Sequence, residues 1–211
     1  MNQYHKIQTV FKRDPENNYE TLLIGDYSLD EFKYLKNNAW VWTEKVDGTN
    51  IRVMYNDGKV TFGGKTDNAQ IPAPLYEYLS ETFKSQIMCG TMCLYGEGYG
   101  PKIQKVGGLY RNDPSFVLFD VKVGEWWLQR KDVENIAFDL GIDVVPILRR
   151  GTLSEMVDFV EEGFDSQWGE FKAEGIVARP EVELKCRNGK RIITKIKYKD
   201  FRRAIWISIK N

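Results

Sequence analysis

A lysine followed by a carboxylate and a glycine, Lys45-Val46-Asp47-Gly48, is the group in this chain best placed for covalent chemistry. A protonated lysine amine is a poor nucleophile, so its use in catalysis demands a lowered pKa or a compensating cation nearby. Lys-x-Asp-Gly at a strand end fits a lysine that attacks a nucleotide phosphate and carries the nucleoside monophosphate as an adduct. An Asp-Gly pair is equally an ordinary turn, so other residues must decide. Glu97 lies between Gly96 and Gly98, Asp120 interrupts the apolar run 116–121, and Glu174 precedes Gly175-Ile176-Val177. Lys195 and Lys197 alternate along a strand and so share one of its faces.

Strand ends are where such side chains can converge. Alternating or continuous apolar patterns predict strands over residues 7–11, 40–44, 50–55, 60–62, 92–95, 116–121, 144–148, 174–179 and 191–198. Asn56-Asp57-Gly58-Lys59 reads as a hairpin turn. Amphipathic spacing predicts helices over 74–88 and 132–140, the second closed by Gly141. Ser28…Glu31 and Thr152…Glu155 read as capping boxes opening two more helices, and a short basic helix is expected from Asp200. Many strands with hairpin connections and few helices give an α+β class with antiparallel sheets.

The composition narrows the partners. At 211 residues, 42% hydrophobic and 28% charged, the chain is expected to form one folded domain over residues 1–211. Lys plus Arg equals Asp plus Glu at 30 each, so only local segregation of charge can attract a nucleic acid. Such segregation exists: Lys185, Arg187, Lys190, Arg191, Lys195, Lys197, Lys199, Arg202 and Arg203 follow the acid-rich span 132–174. This basic tail is the expected phosphate-tracking surface, with a solvated face as the alternative. Three cysteines and the single His5 argue against a His/Cys metal site, leaving oxygen ligands for any divalent ion. No signal peptide or spanning stretch is evident, so a cytoplasmic protein without a membrane partner is expected. Gly96-Glu97-Gly98-Tyr99-Gly100 is not a phosphate loop, because its glutamate would repel phosphate. Cys89 and Cys93 lack the partner pair of a metal site, and core packing is the better reading.

Taken in order, Lys-x-Asp-Gly, Tyr-Gly-Glu, Leu-Phe-Asp, Glu-Gly-Ile-Val and Lys-x-Lys resemble the motifs of the covalent nucleotidyltransferase superfamily. That group holds ATP-dependent DNA ligases, RNA ligases and mRNA capping enzymes. Glu44-Lys45-Val46-Asp47-Gly48-Thr49-Asn50 looks most like the nick-sealing RNA ligases of phages, over about residues 44–201. The resemblance implies an adenylation-domain fold, with ATP and Mg²⁺ (or Mn²⁺) as cofactors. It implies Lys45 as the nucleophile that becomes lysyl-AMP, and a nucleotide site made with Glu44, Asn50, Lys65, Glu97, Phe119, Glu174, Lys195 and Lys197. Within that set Glu97 would contact the ribose and Phe119 would stack on adenine. Glu174 would support the metal, and Lys195 and Lys197 would hold the phosphates. Lys65 falls where the family commonly has arginine, whose fork a lysine cannot reproduce. AMP would pass to a 5′-phosphate, and a 3′-hydroxyl would then displace it, sealing a nicked duplex that contains RNA. A monomer is expected. A minimal DNA ligase, a GTP-using capping enzyme and an inactive nucleic-acid-binding module are the rival readings. Relatives usually continue into an OB-fold or another C-terminal domain. The expectation here is a chain without one, either natural or shortened.

Overall fold

The computed structural model describes residues 3–86 and 90–201. Internal contacts divide the chain into two compact units, Met1–His5 with Val46–Val145, and Lys6–Lys45 with Pro146–Asn211. Cys89, Arg202 and Arg203 lie outside the described residues, as does most of the helix expected from Asp200.

The unit that carries Lys45 is built on a five-stranded sheet. Its order is Gln8–Thr9, Thr194–Lys197, Gly175–Pro180, Trp40–Glu44, Ile147–Gly151, antiparallel except at the first pair. Trp40 and Trp42 are fully buried, in one apolar cluster with Ile176, Ala178 and Ile196 of the neighbouring strands. Leu153, Met156, Val157 and Val160 of the helix Leu153–Glu162 complete that cluster. This helix opens with the expected capping box, in which Thr152 and Glu155 satisfy each other's backbone N–H groups. The box expected at Ser28 is absent. The helix Asp30–Leu35 starts after Leu29 without a side-chain cap, because the Ser28 hydroxyl donates to the Thr9 carbonyl instead. A small antiparallel pair, Phe11–Arg13 with Leu22–Tyr27, completes the unit's strands.

The other unit centres on a sheet ordered Asp143–Val144, Ser115–Val123, Thr91–Tyr99, Thr49–Asn56, Lys59–Gly63, with Trp126–Trp127 beside Ser115–Val123. Ile51, Val53, Leu94, Phe116, Leu118 and Val121 pack with the helices Ala73–Phe83 and Arg130–Leu140. Gly141 closes the second helix with φ +65°, as expected.

Three expectations are revised here. The strand at 92–95 runs on through the glycines to Tyr99. A Cβ on Gly96 would lie 2.2 Å from the Phe116 ring, and one on Gly98 would lie 2.5 Å from Leu75. These glycines therefore admit close packing rather than ending the strand. The strand expected over 144–148 breaks at Pro146, and its halves join different sheets. The helix expected over 74–88 is described only as Ala73–Phe83.

Candidate active site

Strand alternation decides which side chains meet. Trp40, Trp42 and Glu44 point to the packed face of their sheet, while Thr43 and Lys45 take the opposite one. Along Thr194–Lys197, Thr194 and Ile196 are fully buried, and Lys195 and Lys197 share the other face. Gly175 lies between these lysine positions, paired with Lys197, and its carbonyl accepts the Lys45 N–H at 2.9 Å. A Cβ at Gly175 would meet the Ile196 carbonyl oxygen at 2.1 Å, and its φ of +155° also favours glycine.

Glu174, just before this glycine, receives both lysines. Lys45 Nζ lies 2.5 Å from Oε2, and Lys197 Nζ lies 2.5 Å from Oε1. Burial, the largest single influence, pushes this carboxyl upward. The Lys45 and Lys197 ammoniums together outweigh it and hold Glu174 below the ordinary carboxylate range. Two ammoniums over one carboxylate leave the cluster with a net positive charge, suited to an incoming phosphate. Lys195 lies on the same face, one rung further along, opposite Val177.

Glu44 has a different setting. It is 1% exposed, with its Oε1 accepting the Ser166 hydroxyl at 2.6 Å and its Oε2 the Gln167 N–H at 2.8 Å. Burial raises its pKa, and the two hydrogen bonds only partly oppose that. Its carboxylate thus ties the loop at 166–167 to the strand that precedes Lys45. Ser166 and Gln167 carry no sequence signal for this role, since only the fold brings them to Glu44.

In the other unit, Asn50, Glu97 and Phe119 come to one face of a sheet. Asn50 and Glu97 are direct cross-strand neighbours. Gly48 brings its backbone so close to Gly98 that a Cβ would lie 2.3 Å from that carbonyl oxygen. Leu118 pairs with Gly96 while Asp120 pairs with Tyr95, so Phe119 is the extra residue of a β-bulge. The bulge turns both Phe119 and Asp120 off the packed face, onto the side of Tyr95 and Glu97. Asp120 is buried and accepts the Tyr4 hydroxyl at 2.5 Å, and the Tyr4 ring stands edge-on to Phe119 at 5.0 Å. Tyr4 had no signal in its own segment, although a carboxylate inside an apolar strand demanded such a donor.

Lys65 is exposed, on the loop after Lys59–Gly63. Arg52 anchors that loop from the sheet: it is 1% exposed, with Nε donating to the Gly64 carbonyl at 2.9 Å and Nη2 to Asp67 at 2.7 Å. Sequence alternation alone had marked Arg52 only as a strand residue.

Among the described residues, no group of three His, Cys, Asp or Glu gathers as a metal site. A divalent ion would therefore take few protein ligands, with phosphate oxygens and water completing its octahedron. Both oxygens of Glu174, the carboxylate expected to support such an ion, are engaged by Lys45 and Lys197. Among the described residues nothing donates to the buried Asn50 Oδ1, an unmet acceptor that a bound donor would satisfy. Cys93 is a core thiol, pushed up to about 11 by burial. No described helix is long and apolar enough to cross a membrane.

A sequence model of the RNA ligase family matches residues 38–198. No curated protein matches the chain. Among solved structures, Naegleria gruberi RNA ligase with PPi is similar at TM-score 0.62 and 17% identity, covering 100% of this chain and 61% of that one. A mutant of that ligase with ATP and Mn gives TM-score 0.62 and 17% identity over 95% of this chain and 60% of that one. Another mutant, with AMP and Mn, gives 0.61 and 18% over 92% and 57%. At these identities the likeness is one of fold, and this chain spans about three fifths of the length of those proteins.

Proposed function

The chain belongs to the RNA ligase family, and on that premise we propose that it is an ATP-dependent RNA ligase that works through a lysyl-AMP adduct. The observation that carries the reading is the cluster in which Lys45 and Lys197 engage the two oxygens of Glu174. The ATP, AMP and Mn bound by the Naegleria relatives support ATP and a divalent cation as cofactors. The chain is proposed to act as one nucleotidyltransferase domain, as a cytoplasmic monomer.

In the first step Lys45 gives up a proton and its amine attacks the α-phosphorus of ATP, and pyrophosphate departs. Glu174, within hydrogen-bond reach, orients the amine, and the Lys45 proton leaves to water, favoured by the neighbouring Lys195 and Lys197 charges. Lys195 and Lys197 offset the negative charge that grows on the phosphate oxygens. When bound, a divalent cation supplies further charge neutralisation there. Glu97 and Phe119 take the ribose and the adenine, Lys65 belongs to the same nucleotide site, and Asn50 serves the sealing chemistry. AMP then passes to a polynucleotide 5′-phosphate, and a 3′-hydroxyl displaces it to close the nick.

Incubation with α-labelled ATP and Mg²⁺ should mark the protein covalently, and the mark should vanish with Lys45→Ala. Persistent labelling of that variant would sink the assignment. Sealing of nicks with ribose rather than deoxyribose at the 3′-hydroxyl side separates an RNA ligase from a DNA ligase.

A further inference from the structure

Ion pairing divides the basic tail read from the sequence. Lys197 is engaged with Glu174, and Lys195 shares its sheet face. Arg191 is buried and held in two contacts by Glu183, Nε at 2.5 Å and Nη2 at 2.9 Å. Lys199 is exposed just past the strand and Arg202 and Arg203 lie outside the described residues, which leaves Lys185, Arg187 and Lys190 on a short hairpin between the strands Gly175–Pro180 and Thr194–Lys197.

This hairpin is built to hold its shape. Lys185 bridges to Arg191, and the Cys186 N–H donates to the Lys190 carbonyl at 2.8 Å. The Gly189 N–H donates to Cys186 at 2.9 Å, and the Ile192 N–H to Leu184 at 2.9 Å. Gly189 takes the turn at φ +80°. Cys186 packs against the core of its unit, and the Glu183–Arg191 pair braces the base.

Lys185, Arg187 and Lys190 project from this frame, all exposed, and none is in an ion pair among the described residues. Lys12, Arg13, Arg150, Lys172 and Arg191 of the same unit each have a carboxylate partner, and the exposed Lys6, Lys33 and Lys199, also outside the ion pairs among the described residues, stand apart in the chain rather than together on one turn. No acid occurs between Lys185 and Arg191. Three uncompensated cations on a braced turn, in a chain of zero net charge, call for a polyanion.

We propose that the hairpin of Lys185, Arg187 and Lys190 is a docking element for the phosphate backbone of the polynucleotide, away from the reacting end. This rests on the RNA ligase reading. The hairpin leaves the sheet at the Ala178–Thr194 end, opposite the Gly175–Lys197 end where Glu174 sits. The chain from Asn188 to Lys197 spans at most about 30 Å, at about 3.3 Å per residue. At the roughly 3.4 Å of helix axis per phosphate of a B-form strand this is about nine base pairs from the sealing point, and somewhat more at the shorter rise of A-form RNA.

The test is fluorescence anisotropy over a series of KCl concentrations, with a nicked RNA duplex carrying twelve base pairs on each side. Replacing Lys185, Arg187 and Lys190 together by alanine should weaken binding and lower the slope of log K against log salt by roughly two to three. K185R/K190R should bind as wild type does. Melting temperature and labelling by α-labelled ATP should be unchanged, because the hairpin takes no part in lysine chemistry. Equal affinity and equal slope in the triple variant would overturn the proposal. If neither protein forms an adduct, the ligase reading fails, while the binding series still judges the hairpin.

Discussion

Lys45 and Glu174, 129 residues apart in sequence, face each other at 2.5 Å, and Lys197 holds the opposite carboxylate oxygen. One carboxylate therefore sets the position of both the proposed nucleophile and a proposed phosphate ligand. Removing it should do more harm than removing an ordinary surface acid. Glu174→Ala should cut the rate of adduct formation by roughly 100-fold, the scale of losing a preorganised charge partner. Single-turnover labelling measures it, and a rate within threefold of wild type would show that Glu174 does not position Lys45.

The two buried glutamates should give opposite pH signatures. Glu174 is shifted down, so its contribution to stability is complete above its ordinary value of 4.5 and fades as pH falls through the lower folded value. Glu44 is shifted up, so its contribution is complete below 4.5 and is lost as pH rises through the higher folded value. Melting curves should show Glu174→Gln losing its handicap against wild type as pH falls below 4.5. They should show Glu44→Gln gaining on wild type as pH rises above 4.5.

Truncating Glu44 altogether is a separate matter. Glu44→Ala leaves the Ser166 hydroxyl and the Gln167 N–H without their acceptor, at a cost of roughly 1–3 kcal/mol. Urea unfolding should register that loss, and Glu44→Gln should recover part of it.

Gly175 admits no side chain, since a methyl group would lie 2.1 Å from the Ile196 carbonyl oxygen. Gly175→Ala should lose about 1–3 kcal/mol through forced separation of the two strands. It should also slow adduct formation, because Glu174 and Lys197 flank the disturbed pair. Wild-type melting and labelling in this variant would contradict the packing.

Arg52→Ala removes the donors that hold Gly64 and Asp67, which should cost roughly 1–3 kcal/mol. The Lys65 loop should then become sensitive to limited trypsin digestion under native conditions, while wild type resists.

The short-range features were legible in the chain itself. The Asp57-Gly58 turn, the Thr152–Glu155 capping box and the Gly141 cap appear as expected, because each is satisfied within a few neighbouring residues. So were the place of Lys45 just past the strand Trp40–Glu44 and the shared face of Lys195 and Lys197, since a strand's period of two follows from its backbone. The order of five motifs was enough to point to the family.

Other relationships needed the folded chain. Period two places Glu44 beside Trp40 and Trp42, but only the arrival of Ser166 and Gln167 shows how a buried charge is satisfied. The bulge that puts Phe119 and Asp120 on one side depends on a register shift against Tyr95 and Gly96, which neither strand encodes alone. Gly96 and Gly98 read as a strand end until the Phe116 ring and Leu75 fill the space their missing side chains leave. The basic tail read as one patch until Glu174 and Glu183 took up Lys197 and Arg191. Local hydrogen bonding and side-chain period are written into the chain, whereas charge pairing and close packing are decided by groups that meet only after folding.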